Sequence, residues 1–251
     1  MNQAPHLNMK KFAGQITDGF IFFIIILLLT IGTYQRNSLW NDEVAFWKDC
    51  IKKSPQKARA HHNLGYAYLQ RGQWDDAERG FEEALRLDPR YAISMFNLGL
   101  TYYRKGSMDE AIDCYKKAIA LDPTIPEPVY NLGIAYYEKG LYLDAIEAYK
   151  KFLDVKPDYE NVRVNLGLAY SRLKQWDQAI QAFKGELRYD PDNFWAYGYL
   201  GFIYMELEDY SNALFYFKKA LTYPDLPDAE GFRKAIASIE AVQRQKKRKE
   251  N

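Results

Sequence analysis

The chain has 251 residues and a formal net charge of +1, with 34 lysine and arginine residues against 33 aspartate and glutamate residues. Broad nucleic-acid binding needs a strongly basic field, so we expect no nucleic-acid partner. Two cysteines and three histidines are too few for a disulfide framework or a histidine-rich metal site, and we expect neither.

An apolar segment near the N-terminus is the first recognisable element. Residues 20–34 read FIFFIIILLLTIGTY, and no charged residue occurs between Gly19 and Gln35. At ~1.5 Å per residue a helix over this stretch spans roughly 25 Å, and extension back to residue 16 completes a ~30 Å hydrocarbon core. We therefore predict a flexible N-terminal segment over 1–15 and one transmembrane helix over 16–35.

Two alternatives to a membrane anchor stay open from the sequence. Lys10 and Lys11 have the position of a signal-peptide n-region, but Asp18 and the lack of an A-x-A site disfavour cleavage. A helix packed against a soluble domain usually has a polar face, which this apolar run lacks, so a buried soluble helix fits the sequence poorly. If the segment is an anchor, its N-terminal flank has two positive charges, Lys10 and Lys11, and its C-terminal flank has one nearby, Arg36. The positive-inside rule then favours a cytoplasmic N-terminus. The rest of the chain is then expected on the non-cytoplasmic side, which is the periplasm in a bacterium.

A repeat of 34 residues occupies most of the remaining sequence. Its first landmark is an Asn-Leu-Gly triplet, Tyr-Leu-Gly in the last copy, which begins at Asn63, Asn97, Asn131, Asn165 and Tyr199. Tyrosine follows three residues after each glycine, and alanine occurs at residues 77, 111, 145, 179 and 213, each followed four residues later by an aromatic residue. Proline closes the first four units at residues 89, 123, 157 and 191. Leu, Gly and Tyr at these spacings share one helical face, so each unit is predicted to be a helical hairpin.

The pattern resembles the tetratricopeptide repeat family, in which L-G-x2-Y, A-x3-F and a closing proline recur at this period. The resemblance covers residues 58–227 and implies five repeats, over 58–91, 92–125, 126–159, 160–193 and 194–227. It implies an all-α fold, a right-handed superhelical solenoid of antiparallel helix hairpins, preceded here by the transmembrane helix. One hairpin cannot bury its own apolar face, whereas stacked hairpins can.

Small residues predict where the two helices of a hairpin meet. Gly65 and its equivalents are expected to face Ala77 and its equivalents, which lets the helices approach closely. Gly72, Gly106 and Gly140 fall between the two helices, where a left-handed residue ends the first helix.

Departures from the repeat are concentrated in its last two copies. Lys174 and Glu208 replace the glycine between the helices, and Glu186 stands where Ala118 stands in the second repeat. We therefore expect the last two repeats to be the least regular.

The two ends of the array differ from the repeat. Residues 38–54 match the second helix of a half repeat, with Trp47 in register. Residues 228–245 are predicted to form a capping helix that covers the last repeat, followed by a basic tail over 246–251. The apolar stripe of the capping helix comprises Phe232, Ile236, Ile239 and Val242.

The family resemblance also predicts a binding surface, because the first helices of such repeats line a concave groove. One asparagine per repeat would point into the groove, and a ladder of amides can hydrogen-bond the backbone of an extended peptide. The alternative is that these asparagines only support the hairpin. Aromatic and arginine side chains beside the ladder would add apolar anchors and contacts to an acidic ligand. The predicted groove consists of Asn63, Asn97, Asn131, Asn165, Tyr66, Phe96, Tyr103, Tyr130, Tyr137, Arg59, Arg104, Arg172 and Trp195.

The sequence contains no P-loop and no G-x-G-x-x-G, H-E-x-x-H or G-x-S-x-G motif. We therefore predict a protein that is not an enzyme and needs no cofactor. The main hypothesis is a membrane-anchored scaffold that binds a protein partner, as an extended peptide segment, in its groove.

Two other functions are compatible with the sequence. Residues 36–61 resemble the junction in multi-spanning glycosyltransferase-like membrane proteins, where the last membrane helix leads into tetratricopeptide repeats. The chain would then be a non-catalytic, substrate-presenting tail of such a system. A homotypic assembly scaffold, with a dimer formed by the convex face or the caps, is the third alternative.

Overall fold

A computed structural model describes residues 26, 27, 29, 30, 33, 42–223 and 229–250, and the regular structure within these residues is α-helical. Helices α1 to α12 are, in order, Glu43–Lys53, Ala58–Gln70, Trp74–Leu87, Ala92–Lys105, Met108–Leu121, Glu127–Glu138, Tyr142–Val155, Val162–Arg172, Trp176–Tyr189, Phe194–Glu206, Tyr210–Ala220 and Ala229–Glu250. The chain divides into two compact units, Met1–Pro89 with α1 to α3 and Arg90–Asn251 with α4 to α12. The all-α fold of repeated helix hairpins is confirmed.

The predicted membrane segment, residues 16–35, lies mostly outside the described residues, as does the N-terminal segment 1–15. The few residues of 16–35 that are described are helical. Among the described residues, no helix combines the length and the apolar character that a membrane crossing requires. The anchor and its orientation therefore stay predictions.

Within residues 42–89, the first unit contains helix α1 and the hairpin of α2 and α3. Asp42 precedes α1, and its carboxylate accepts hydrogen bonds from the amides of Val44 and Ala45 at 3.0 and 3.2 Å. The same carboxylate accepts a hydrogen bond from the Arg71 guanidinium at 2.6 Å, which ties the turn after α2 to the start of α1. Residues 38–41 of the predicted half repeat lie outside the described residues.

In each hairpin an aromatic ring of the second helix lies against the glycine of the first helix. A Cβ added to the glycine would come within 2.7 Å of a ring atom in three successive pairs, Gly99 with Tyr115, Gly133 with Tyr149 and Gly167 with Phe183. The ring, and not the alanine named by the sequence pattern, comes nearest to these glycines. At Gly65 the backbone oxygen of Ala77 and the Phe81 ring are equally near, at 3.0 Å. A bare Cα therefore provides the space for a buried ring as well as for a close helix approach.

The residue between the two helices of a hairpin is left-handed in all five repeats. Gly72, Gly106 and Gly140 have φ angles of 70°, 81° and 76°, as the sequence predicts. Lys174 and Glu208 adopt the same conformation, with φ angles of 55° and 57°. The hairpin geometry therefore persists in the last two repeats, although a side chain in left-handed backbone costs ~1–2 kcal/mol.

Lys174→Gly and Glu208→Gly are each expected to raise the free energy of unfolding by about 0.5–1 kcal/mol, because glycine relieves the left-handed strain. Thermal unfolding of the full chain, followed by circular dichroism, measures the change. Lys156 is the matched control, since it ends α7 with a φ of −128°. Lys156→Gly relieves no strain and is expected to lower stability, and an equal gain in this variant would contradict the explanation.

Glu186 of α9 is buried, with 2% of its surface exposed, at the position where the second repeat has Ala118. Its carboxylate accepts hydrogen bonds from the backbone amide of Asn161 at 3.1 Å and the side-chain amide of Asn193 at 3.4 Å. The Asn193 amide also donates to Asn161 Oδ1 at 3.2 Å. Burial raises the pKa of Glu186. The departure at Glu186 thus connects the starts of α8 and α10 through a buried polar network.

The last helix, α12, covers the final hairpin with the predicted apolar stripe. Phe232 and Ile239 are almost fully buried, and Ile236 packs beside them. The Phe232 ring lies so close to Gly198 of α10 that an added Cβ would come within 2.3 Å of it. Large side chains from α12 thus complete the core of the last repeat.

The end of α12 lies beyond residue 245, where the sequence predicts the capping helix to stop. The helix continues to Glu250, so most of the predicted basic tail is helical. Lys246 Nζ lies 5.4 Å from the centroid of the Tyr210 ring and 4.0 Å from the Glu208 carboxylate. These two contacts give the helix extension partners on the last hairpin.

Candidate functional site

The predicted groove residues of the second unit lie on the first helix of each hairpin, namely on α4, α6, α8 and α10. We call this surface the first-helix face and define it by Tyr103, Asn131, Tyr137, Asn165, Arg172 and Tyr199. The predicted residues of the first unit all lie on α2, where Arg59 and Tyr66 are exposed and Asn63 is half-buried.

The asparagines of the predicted ladder have different environments in the second unit. Asn97 is buried. The Asn131 amide donates to the carbonyl of Glu127 in its own helix at 2.9 Å, and the Asn165 amide donates to the Tyr130 hydroxyl at 3.1 Å. Two of these amides therefore support the protein itself, which is the alternative role that the sequence leaves open. Among the described residues, no donor reaches the side-chain oxygen of Asn131 or Asn165, so both acceptors remain open to a ligand.

Hydrogen bonds join residues of successive first helices in three pairs, and each pair contains at least one predicted groove residue. Each pair is separated by 35 residues, one more than the repeat length. The pairs are the Tyr103 hydroxyl donating to Glu138, the Asn165 amide donating to the Tyr130 hydroxyl at 3.1 Å, and Arg172 Nε donating to the Tyr137 hydroxyl at 3.1 Å. These contacts fix the side chains of the first-helix face before any ligand binds, which lowers the entropy cost of binding.

Two tyrosines of these pairs, Tyr103 and Tyr130, stay protonated at neutral pH. Burial and the neighbouring Glu138 carboxylate raise the pKa of Tyr103 to about 12. Burial also raises the pKa of Tyr130. Both phenols are therefore neutral in the physiological pH range.

A pocket of about 290 Å³ opens on the first-helix face between α8 and α10, with Tyr137 of α6 at its edge. We call it the α8/α10 pocket. Its apolar wall comprises Leu168, Trp176, Tyr199, Phe202 and Ile203, and its polar rim comprises Ser171, Arg172 and Glu206.

The rim of the α8/α10 pocket carries one cation and one anion. Arg172 is exposed, and its guanidinium carbon lies 5.9 Å from the centroid of the Tyr137 ring. One Arg172 N–H is used by the Tyr137 hydroxyl, so the outer nitrogens of the guanidinium can bind a carboxylate or a backbone carbonyl. Glu206 is exposed on the other helix and can accept from an amide or an amine. The pocket thus combines an apolar interior with polar groups that can orient a bound chain.

Sequence reasoning predicts Tyr137 and Arg172 as site residues and misses the rest of this pocket. One signal was available: Tyr199 stands where the other four repeats have asparagine. Leu168 and Phe202 share the ninth position of their repeats, and both line the pocket.

The remaining predicted residues lie outside the pocket. Phe96 is half-buried, with its ring centroid 5.9 Å from that of Tyr115 in its own hairpin. Arg104 is exposed near the end of α4. Trp195 is exposed at the start of α10 and stacks on Tyr199 with centroids 6.2 Å apart. Trp195 therefore extends the aromatic surface of the pocket along α10.

Comparison with known proteins recognises the same repeat. The profile of the tetratricopeptide repeat family matches residues 51–126, 130–193 and 164–230. Comparison with curated protein sequences gives no significant match.

Several solved structures are similar to this chain. A crystal structure of MamA is 31% identical and has a TM-score of 0.61 over 63% of this chain and 93% of that chain. MamA from Desulfovibrio magneticus RS-1 is 22% identical, with a TM-score of 0.63 over 66% and 93%. YrrB, a TPR protein with an unusual peptide-binding site, is 20% identical, with a TM-score of 0.67 over 77% and 97%.

Proposed function

The chain belongs to the tetratricopeptide repeat family, and on this premise we propose that it is a membrane-anchored, non-catalytic scaffold that binds an extended segment of a partner protein on its first-helix face. The observation that carries this proposal is the α8/α10 pocket, with its aromatic wall and its charged rim.

The size of the pocket favours one side chain over a whole small molecule. Its volume of about 290 Å³ lies at the lower limit of the ~300–1,000 Å³ that is usual for small-molecule sites. Aromatic walls contributed by Trp176, Tyr199 and Phe202 suit a large apolar or aromatic anchor. We therefore assign the pocket to the main anchor side chain of the partner segment.

The polar groups of the first-helix face and of the pocket rim suit the backbone of that segment. The open side-chain oxygens of Asn131 and Asn165 accept hydrogen bonds from peptide N–H groups. Arg172 donates to a peptide carbonyl or an acidic side chain, and Glu206 accepts from an N–H group on the other side of the pocket. An extended segment presents these groups at regular intervals, whereas a helix satisfies them internally.

The similarity to YrrB, whose description names a peptide-binding site, agrees with this role at the level of the fold. The membrane anchor rests on the apolar run within residues 16–35. The resemblance of residues 36–61 to glycosyltransferase-like proteins stays a prediction.

Site-specific photo-crosslinking tests the first-helix face in the full chain in its own membranes. The photo-reactive amino acid p-benzoyl-phenylalanine replaces Glu206 on the pocket rim or, as a matched control, the exposed Gln181 of α9. We expect the pocket site to crosslink one partner protein and the control site to give no such product. Equal crosslinking at both sites would contradict the assignment, and a product formed by two copies of the chain would replace it with homotypic assembly.

Arg172→Ala is expected to weaken binding of the crosslinked partner at least ten-fold, since arginine anchors at an interface centre commonly contribute ~2 kcal/mol or more. Arg188→Ala removes an exposed arginine of the neighbouring α9 and is expected to leave the affinity unchanged. Affinity is measured by titration of the purified partner. Equal losses in both variants would indicate a charge effect without a specific site.

A further inference from the structure

The first unit contains a pocket of its own, between the end of α1 and the start of α2, with a volume of about 350 Å³. We call it the α1/α2 pocket. Its lining includes Trp47, Lys53, Ser54, Lys57 and Arg59. The feature that sets it apart is its charge, because three of these side chains are cationic and the described residues contribute no carboxylate to the lining.

Two of the three cations form no ion pair within the part of the chain that the structure describes. Lys53 forms an ion pair with Asp49, whereas neither Lys57 nor Arg59 forms one with any described residue. The first turn of α2 also contains no acidic residue, so the positive end of its helix dipole adds to the field. Burial, and after it the positive charge of Arg59, lowers the pKa of His62 to about 4. The pocket therefore has an uncompensated positive potential that favours an anion.

The other lining groups restrict the kind of anion. The Ser54 side chain offers a hydroxyl donor to a phosphate oxygen. The half-buried Trp47 ring offers a flat apolar wall, which a bare inorganic ion does not use. A phosphate group attached to an organic moiety uses both the cations and the ring. Phospholipid headgroups have this chemistry, and tryptophan is enriched at the depth of the headgroups.

The chain itself limits the distance between this pocket and a membrane. The predicted membrane segment ends at residue 35, and α1 begins at Glu43. The short connection, residues 36–42, spans at most ~25 Å when extended, and α1 adds roughly 16 Å. A helix α1 that lies along the membrane surface therefore brings the pocket to the headgroup layer.

We propose that the α1/α2 pocket binds the phosphate of an anionic phospholipid headgroup in the membrane that anchors the chain. This proposal rests on the membrane anchor of the proposed function. Bound headgroups would hold the first unit against the membrane surface, because Lys57 and Arg59 gain the counter-charge that the described residues do not provide.

Titration of the full chain in a neutral detergent tests the headgroup site. The probes are dioctanoyl phosphatidylglycerol, dioctanoyl phosphatidylcholine and inorganic phosphate. We expect phosphatidylglycerol to bind at least ten-fold more tightly than either other probe. Lys57→Gln combined with Arg59→Gln is expected to weaken that binding at least ten-fold. Arg79→Gln combined with Arg86→Gln, the same charge change on exposed residues of α3, is the matched control and is expected to leave it unchanged.

Three results would overturn the proposal: equal affinity for the two lipids, equal loss in the two double variants, or inorganic phosphate binding as tightly as phosphatidylglycerol. The last result would assign the pocket to free phosphate. Flotation of the full chain with neutral phosphatidylcholine vesicles tests the anchor separately, because these vesicles carry no net charge for the pocket to recognise. A chain that fails to float contradicts the anchor, whereas the lipid titration decides the headgroup site.

Discussion

Phe183→Ala is expected to lower the free energy of unfolding by about 3–5 kcal/mol, the range found for complete truncation of a buried aromatic residue. The Phe183 side chain is 0% exposed. Its ring lies over Gly167 of α8 and stacks on Tyr199 of α10 with centroids 5.3 Å apart. Truncation therefore removes contacts within its own hairpin and with the next one, and the helix backbones around it cannot close the resulting cavity.

Urea unfolding of the full chain, followed by far-ultraviolet circular dichroism, measures this loss. Phe215→Ala is the matched control, because the Phe215 side chain on α11 is 59% exposed. We expect the control to change the free energy of unfolding by less than ~1 kcal/mol, as surface substitutions usually do. Similar losses in both variants would show that burial of the ring against Gly167 does not determine its contribution.

Phe183→Ala also connects the core to the candidate site. Phe183 supports Tyr199, and Tyr199 forms part of the wall of the α8/α10 pocket. The variant is therefore expected to weaken partner binding under conditions where most molecules remain folded.

The periodicity of the sequence predicted the hairpins, because each repeat must place the same small and aromatic residues at its helix contacts. The left-handed turns at Lys174 and Glu208 were harder to predict, since neither residue favours that conformation. In the structure the helices on either side determine the turn, and the local residue adapts to it. The position of a residue in the repeat therefore predicts its turn conformation better here than the backbone preference of that residue type.

The candidate site was only partly predictable for a related reason. Tyr137 and Arg172 could be selected because each is an aromatic or cationic side chain on the first helix of its own repeat. The hydrogen bond between them joins residues 35 positions apart, and the pocket beside them depends on how α8 and α10 pack. Single-repeat patterns contain no information on whether neighbouring side chains fill such a space, so Leu168 and Phe202 were missed.

The partners of a buried polar residue were also not predictable from the sequence. The sequence identified Glu186 as an exception to small-residue packing but did not predict its partners. Asn161 and Asn193 reach it from the turns before α8 and α10, which only the folded arrangement brings together. The expectation that the last two repeats are the least regular stays a prediction, and the structure shows the polar network that accommodates Glu186.

Gly133→Ala is expected to lower the free energy of unfolding by about 1–3 kcal/mol, as overpacking of a well-filled core does. The new Cβ would lie 2.7 Å from the Tyr149 ring, which is almost fully buried and has no room to move. Gly185→Ala makes the same substitution inside α9, where the nearest atom is Cδ of the flexible Arg163 side chain at 3.3 Å.

The two glycine variants are expected to change stability in opposite directions. Alanine is favoured over glycine in a helix interior by about 1 kcal/mol, and Gly185→Ala retains this gain because Arg163 can move aside. In Gly133→Ala the clash with Tyr149 exceeds the same gain. Thermal unfolding of the full chain compares them directly, and a stabilised Gly133→Ala variant would contradict the proposed packing. A loss of stability in Gly133→Ala and a gain in Gly185→Ala would show that the facing ring requires glycine at residue 133, whereas glycine at residue 185 only weakens its helix.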